Sequence, residues 1–207
     1  MTSWLDGNLP AVPPTADSRY TQNLAADLGV TLTQLRSLAT SPETLSDPRL
    51  TGYRGGPLAD LVEDFEDVIE ACRAINGLNL DLERVRRTWN DALEAEHLLP
   101  QRQHWYHGDL LAENLLVSDD GRLAGVLDFG GLAIGDPSVD LVAAWEVLDA
   151  EGRQVLREVI NVSDAEWRKG MGWALFIALI TFPYYWNTMP KRCADRLAMA
   201  QAVLSEA

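Results

Sequence analysis

Two short apolar runs, Leu115-Leu116-Val117 and Leu123 to Leu127, flank Ser118-Asp119-Asp120-Gly121 near the middle of a chain of 207 residues. Asp-Gly between apolar stretches is a strong signal for a hairpin, because its turn needs residues that tolerate positive φ. Pairing the two runs forces the residues at their open end together. Asn114 stands just before the first run and Asp128 just after the second, so the hairpin sets them side by side. Asp109 lies on the polar loop leading into the same end. Two carboxylates and one amide therefore converge at one place.

Around this hairpin the pattern is helical. Leu24, Leu28, Leu32, Leu35 and Leu38 recur at helical spacing after Thr15. Pro42, Pro48, Gly52, Gly55, Gly56 and Pro57 mark residues 40–57 as loop. Pro57 opens a helix with Leu61, Phe65, Val68, Ile69 and Cys72 on one face, stopped by Gly77. A further helix carries Leu82, Val85, Trp89 and Leu93. Gln103 to His107 reads as a short strand. Beyond Asp136-Pro137 the spacing predicts helices over about 137–148, 150–160, 163–186 and 191–206, with Ser163 and Glu166 as a capping box. The expected fold class is α+β and mostly α-helical, with one small β-hairpin carrying the chemistry.

With 47% hydrophobic residues the chain has enough apolar surface for a substantial core. Cys72 and Cys193 stand far apart in no metal or redox pattern, which suits a reducing compartment. The N-terminus lacks the basic and apolar regions of a signal peptide. The most apolar stretch, Trp173 to Trp186, is interrupted by Pro183 and too short to span a bilayer. A cytoplasmic protein without a membrane partner is expected. A formal charge of -14 argues against nucleic acid, whose phosphates it would repel. It suits a cationic small molecule, though an acidic surface also serves solubility alone.

The oxygens of Asp109, Asn114 and Asp128 are hard ligands of the kind Mg²⁺ accepts, few in number, with water and phosphate completing the octahedron. Phosphoryl transfer needs little covalent help. It needs the phosphate charge neutralised, a hydroxyl held in line, and a carboxylate to take its proton. Asp109 can be that carboxylate, with Asn114 and Asp128 as metal ligands.

His107-Gly108-Asp109 followed by Asn114, then Leu127-Asp128-Phe129-Gly130, Gly135-Asp136-Pro137 and Asp140-Leu141, resembles the aminoglycoside phosphotransferase family, with a protein-kinase-like fold. The likeness extends over nearly the whole chain, from Trp4 onwards. It implies ATP as co-substrate, Mg²⁺ as cofactor, and a hydroxyl-bearing acceptor, an aminoglycoside or related antibiotic first among them. It further implies Asp109 as catalytic base, Asn114 and Asp128 on the metal, and His107, Asp136 and Asp140 as structural residues near the site. Leu116 and Leu127 would floor the adenine. Leu5, in Trp4-Leu5-Asp6-Gly7, would belong to a hinge-like segment reaching the nucleotide. Residues 1–14 then form hinge and linker, and 15–207 a kinase-like C-terminal lobe with a catalytic loop at 107–114 and a metal-binding loop at 128–137.

The family's N-terminal β-rich lobe, with its phosphate-holding lysine, is expected to be absent. The chain's two lysines, Lys169 and Lys191, both follow the catalytic loop. Weak ATP binding by the chain alone is the consequence, and the face left by that lobe could support a homodimer. Two alternatives stay open: a non-catalytic remnant or binding module, and a metal-dependent hydrolase built on Asp109, Asp128 and the histidines. Glu146, Asp149 and Glu151 read as a solvated helix end, and Tyr184, Tyr185 and Trp186 as candidate cleft residues.

Overall fold

The computed structural model describes all residues except 1–4, 15, 16 and 53. Trp4, part of the hinge-like segment, and Thr15, the expected helix start, fall outside the described residues. The first helix, α1 (Ser18–Ser37), is instead capped by Asp17, whose carboxylate accepts from the N–H groups of Arg19 and Tyr20. The segment between α1 and the next long helix is loop punctuated by a helical turn, α2 (Pro42–Leu45), and by 3-10 turns at Pro48–Leu50 and Leu58–Leu61. Pro57 therefore opens a 3-10 turn, and the α-helix itself begins only at Val62. Then come α3 (Val62–Arg73) and α4 (Leu82–Glu96). The central part holds β1 (His104–Tyr106), β2 (Leu115–Val117), β3 (Leu123–Val126) and β4 (Ala133–Gly135). The last part is helical: α5 (Ala143–Val147), α6 (Ala150–Ile160), α7 (Asp164–Tyr185) and α8 (Pro190–Glu206).

The strands β2 and β3 pair antiparallel, with Leu115 opposite Val126 and Leu116 opposite Gly125. The N-terminal segment joins them: Asn8 and Val117 exchange backbone hydrogen bonds at 2.8 Å in both directions. A second ribbon pairs β1 with β4, Trp105 opposite Ile134.

The core is organised around α7. Its apolar residues run round the whole helix rather than along a stripe, the mark of a helix buried on all sides. It lies against α3, α4, α8 and the segment 137–142. Gly172 lets α4 approach closely, because a Cβ there would stand 2.8 Å from that of Ala92. Phe65 of α3 stacks on Trp89 of α4 at 4.2 Å, and Trp89 meets Phe176 of α7. Among the described residues no helix is long and apolar enough to cross a membrane.

Charged groups buried inside this core are paired, as burial requires. Lys169 is 3% exposed and bonds Glu96 at 2.5 Å and Asp136 at 3.0 Å. Glu166 is equally buried and holds Arg36 at 2.9 Å together with Arg102. That second cluster corrects the expected capping box. Ser163 does accept from the Glu166 N–H at 3.2 Å, but the Glu166 carboxylate turns inward to the two arginines instead of back to Ser163.

Two further expectations change. Residues 137–148 are not one helix: Pro137–Val142 is a 3-10 segment, followed by the short α5. The tighter winding turns Asp140 inward, where its carboxylate binds backbone amides of another loop. Glu146 is not a solvated helix end but 1% exposed, paired with Arg196. Asp149 caps α6 through Gly152 N–H, and Glu151 is exposed.

Candidate active site

The loop 107–114 is held from beneath by two buried carboxylates. Asp140 accepts from the N–H groups of His107 and Gly108, both at 2.8 Å. Glu146 accepts from Ala112 N–H at 2.8 Å, and Arg196 neutralises it. Burial pushes the Asp140 carboxyl up, against the two amide donors that favour its charged form. His107 is 1% exposed and fully engaged: Nε2 donates to the Leu127 carbonyl at 2.8 Å, and Nδ1 accepts from Asp109 N–H at 3.3 Å. That network assigns a neutral ring with its proton on Nε2. Leu127 N–H in turn donates to the Asn114 carbonyl at 2.8 Å. The two loops are thus sewn together at the open end of the hairpin.

Gly108 has φ +82, and a Cβ there would lie 2.5 Å from the Gly131 carbonyl oxygen. Gly108→Ala adds left-handed strain to a backbone collision, so a loss of about 2–3 kcal/mol in chemical unfolding is expected. A variant with wild-type stability would show that the loop relaxes freely.

Of the three oxygen-bearing side chains, Asn114 and Asp109 touch directly, and Asp128 shares a cavity with Asp109. The Asn114 amide nitrogen donates to the Asp109 carbonyl at 2.8 Å and to its carboxylate at 3.2 Å, which leaves the amide oxygen as the atom Asn114 can offer a cation. Asp128 is exposed, in a left-handed conformation at φ 53, and one of its oxygens accepts from Gly130 N–H. Asp109 and Asp128 line one cavity of about 470 Å³, shared with Arg49, Arg54, Gly108 and Gly130. The carboxylates facing this space are those of Asp109 and Asp128, with Asn114 buried behind Asp109. Hard oxygen donors of this kind fit a magnesium ion completed by water and phosphate. It does not fit zinc: His107 is engaged on both nitrogens and the Nδ1 of His104 faces the Arg36 carbonyl at 2.9 Å. Nothing therefore supports the hydrolase alternative.

Asp136 caps the 3-10 segment through Ser138 N–H at 2.9 Å. Burial alone would raise its carboxyl, but the Lys169 ammonium and the Ser138 amide hold it below the usual range. Leu116 and Leu127 are half-buried and stand on the two arms of the hairpin. Leu5 is 57% exposed, with Cδ1 at 3.0 Å from where a Cβ on Gly125 would stand. None of the three leucines lines the Asp109 cavity. Nor do Tyr184, Tyr185 and Trp186, and Tyr184 is 78% exposed.

Sequence reasoning missed Arg54. Its guanidinium bonds the Asp109 carboxylate and the Gly108 carbonyl, the latter at 3.1 Å. Its own carbonyl accepts from the buried Tyr106 hydroxyl, whose pKa burial pushes up to about 12, so that it stays a donor. An arginine among glycines gave no local sign of this role.

A helical lobe whose one hairpin presents Asp109, Asn114 and Asp128 on two linked loops is a protein-kinase-like C-terminal lobe. The model of the phosphotransferase enzyme family matches residues 1–173, and the chain belongs to that family. Among solved structures, the ADP-bound aminoglycoside phosphotransferase APH(2'')-Ib superposes with a TM-score of 0.55 at 17% identity, covering 97% of this chain and 71% of that one. A type I macrolide 2'-phosphotransferase gives 0.61 at 17%, covering 97% and 67%. The macrolide 2'-phosphotransferase MphH from Brachybacterium faecium gives 0.55 at 19%, with the same coverage. At these identities the likeness shows the shared fold. A search of curated proteins finds no match.

Proposed function

We propose that this chain transfers the terminal phosphoryl group of ATP to a hydroxyl of a small molecule at the Asp109 cavity. The observation that carries the reading is the Asn114 amide bonded to Asp109 while Asp109 and Asp128 face one space. In the reaction the acceptor oxygen bonds to the γ-phosphorus as that phosphorus parts from its bridging oxygen. ADP leaves with the electron pair, and Asp109 takes the acceptor's proton. The Asn114 oxygen and the Asp128 carboxylate would hold Mg²⁺, which when bound supplies charge neutralisation at the phosphates. The buried carboxylates Asp140 and Glu146 keep the loop rigid, so that Asp109 is positioned before substrate arrives.

A cationic acceptor, an aminoglycoside or related antibiotic, suits the formal charge of -14 and the aminoglycoside and macrolide phosphotransferases that share the fold. The test is calorimetric titration with Mg-ATP, then an acceptor panel scored by ADP release. Nucleotide binding and release that depends on acceptor are expected. A titration silent up to millimolar nucleotide would defeat the reading and leave a lobe without nucleotide chemistry.

A further inference from the structure

We propose that Arg54 is a catalytic residue of this site, resting on Asp109 until nucleotide arrives and then moving onto the transferred phosphate. The inference rests on the phosphotransferase reading above. A terminal phosphate entering the cavity meets the carboxylates Asp109 and Asp128, and their repulsion has to be offset. The cationic side chains lining the cavity are Arg49 and Arg54. Arg49 is 87% exposed and lies on Asp47 at 2.7 Å. Neither lysine lines the cavity: Lys169 is buried on Glu96 and Asp136, and Lys191 bonds Asp195 at 2.9 Å on α8. Arg54 is therefore the cation placed beside the reacting carboxylate.

Its backbone is anchored, while its side chain reaches the cavity wall. The Arg54 carbonyl is held by the Tyr106 hydroxyl, and the next carbonyl, that of Gly55, accepts from Asp136 N–H at 2.9 Å. The Arg54 side chain as a whole is 23% exposed and lines the cavity. Its planar fork matches two phosphate oxygens as well as it matches a carboxylate. The exchange also times the chemistry. While the guanidinium sits on Asp109, one carboxylate oxygen is committed and the other accepts from Asn114, so neither is left to a hydroxyl alone. Transfer of the guanidinium to the phosphate frees the base at the moment the phosphate is in place.

The test compares Mg-ATP with Mg-ADP, by calorimetry on the full chain. Wild type should prefer ATP. Arg54→Gln should bind ADP as before and lose the ATP preference by about ten- to a hundredfold, the effect of one charge-assisted contact. Arg54→Lys, which keeps charge without the fork, should retain part of it. Asp109→Asn, which weakens the resting contact, should increase it. An unchanged ATP-to-ADP ratio in Arg54→Gln, with ADP still bound, overturns the role of Arg54 and leaves the phosphotransferase reading standing. Wild type that binds neither nucleotide overturns both.

Discussion

Arg196→Met is expected to lower stability by about 3–5 kcal/mol, because it strands the Glu146 carboxylate in the core. Both side chains are nearly sealed from water, at 2% and 1% exposure, and they pair directly. Burial draws the Arg196 guanidinium down from its ordinary value, while Glu113 and other nearby carboxylates oppose the shift. Arg196 also bonds Glu113 at 3.1 Å, but Glu113 is half-exposed and keeps Arg192, so its loss is small. Arg196 is the cation that neutralises Glu146. The damage extends to the candidate site, since the Glu146 carboxylate holds the Ala112 N–H within the loop 107–114. In urea the midpoint should fall sharply at a nearly constant slope. The double variant Arg196→Met, Glu146→Gln should recover much of the loss, because it removes the uncompensated charge. A single variant within about 1 kcal/mol of wild type would mean that water reaches Glu146 and that the pair is not buried in solution.

What could be read from the sequence was local. The Asp119-Asp120-Gly121 turn announces its hairpin because the signal and the structure occupy the same few residues, and pairing then follows by register. Asp136-Pro137 similarly announces a helical start, and the Asp136 carboxylate does cap Ser138. What could not be read depended on distant partners. The β4 run, Ala133-Ile134-Gly135, has no strand-like alternation and becomes a strand only because β1 is there to pair with it. Glu146 has the look of a surface acid until α8 brings Arg196 onto it. Glu166 satisfies a capping pattern, yet two arginines from elsewhere outcompete the local backbone amide. Arg54 belongs to the same class. Its loop reads as loop, and only the packing of that loop over Gly108 carries the guanidinium to Asp109. The proximity of Asp109, Asn114 and Asp128 was legible because they flank one hairpin, whereas the cation beside Asp109 arrives from another part of the chain.

Asp109→Asn should cut turnover by about 10²- to 10⁴-fold with little change in KM for the acceptor, the signature of a lost proton acceptor rather than lost binding. Asp109 is 35% exposed and lies on a loop whose amides are held by Asp140 and Glu146, so the substitution should leave the fold intact. Asparagine keeps one oxygen for Arg54 or for the Asn114 amide, but not both, and its own NH₂ faces a donor at the other position. The expected cost to stability is accordingly small, about 1 kcal/mol. Asp128→Asn separates the two roles. It should raise the Mg²⁺ concentration needed for half-maximal turnover, because a neutral amide is a poorer ligand for a hard cation than a carboxylate. Asp109→Asn should leave that concentration nearly unchanged. The comparison is a magnesium titration of initial rates for both variants under saturating acceptor. Turnover of Asp109→Asn close to wild type would remove Asp109 from the proton transfer, and a shifted magnesium requirement in that variant would make it a ligand instead of a base.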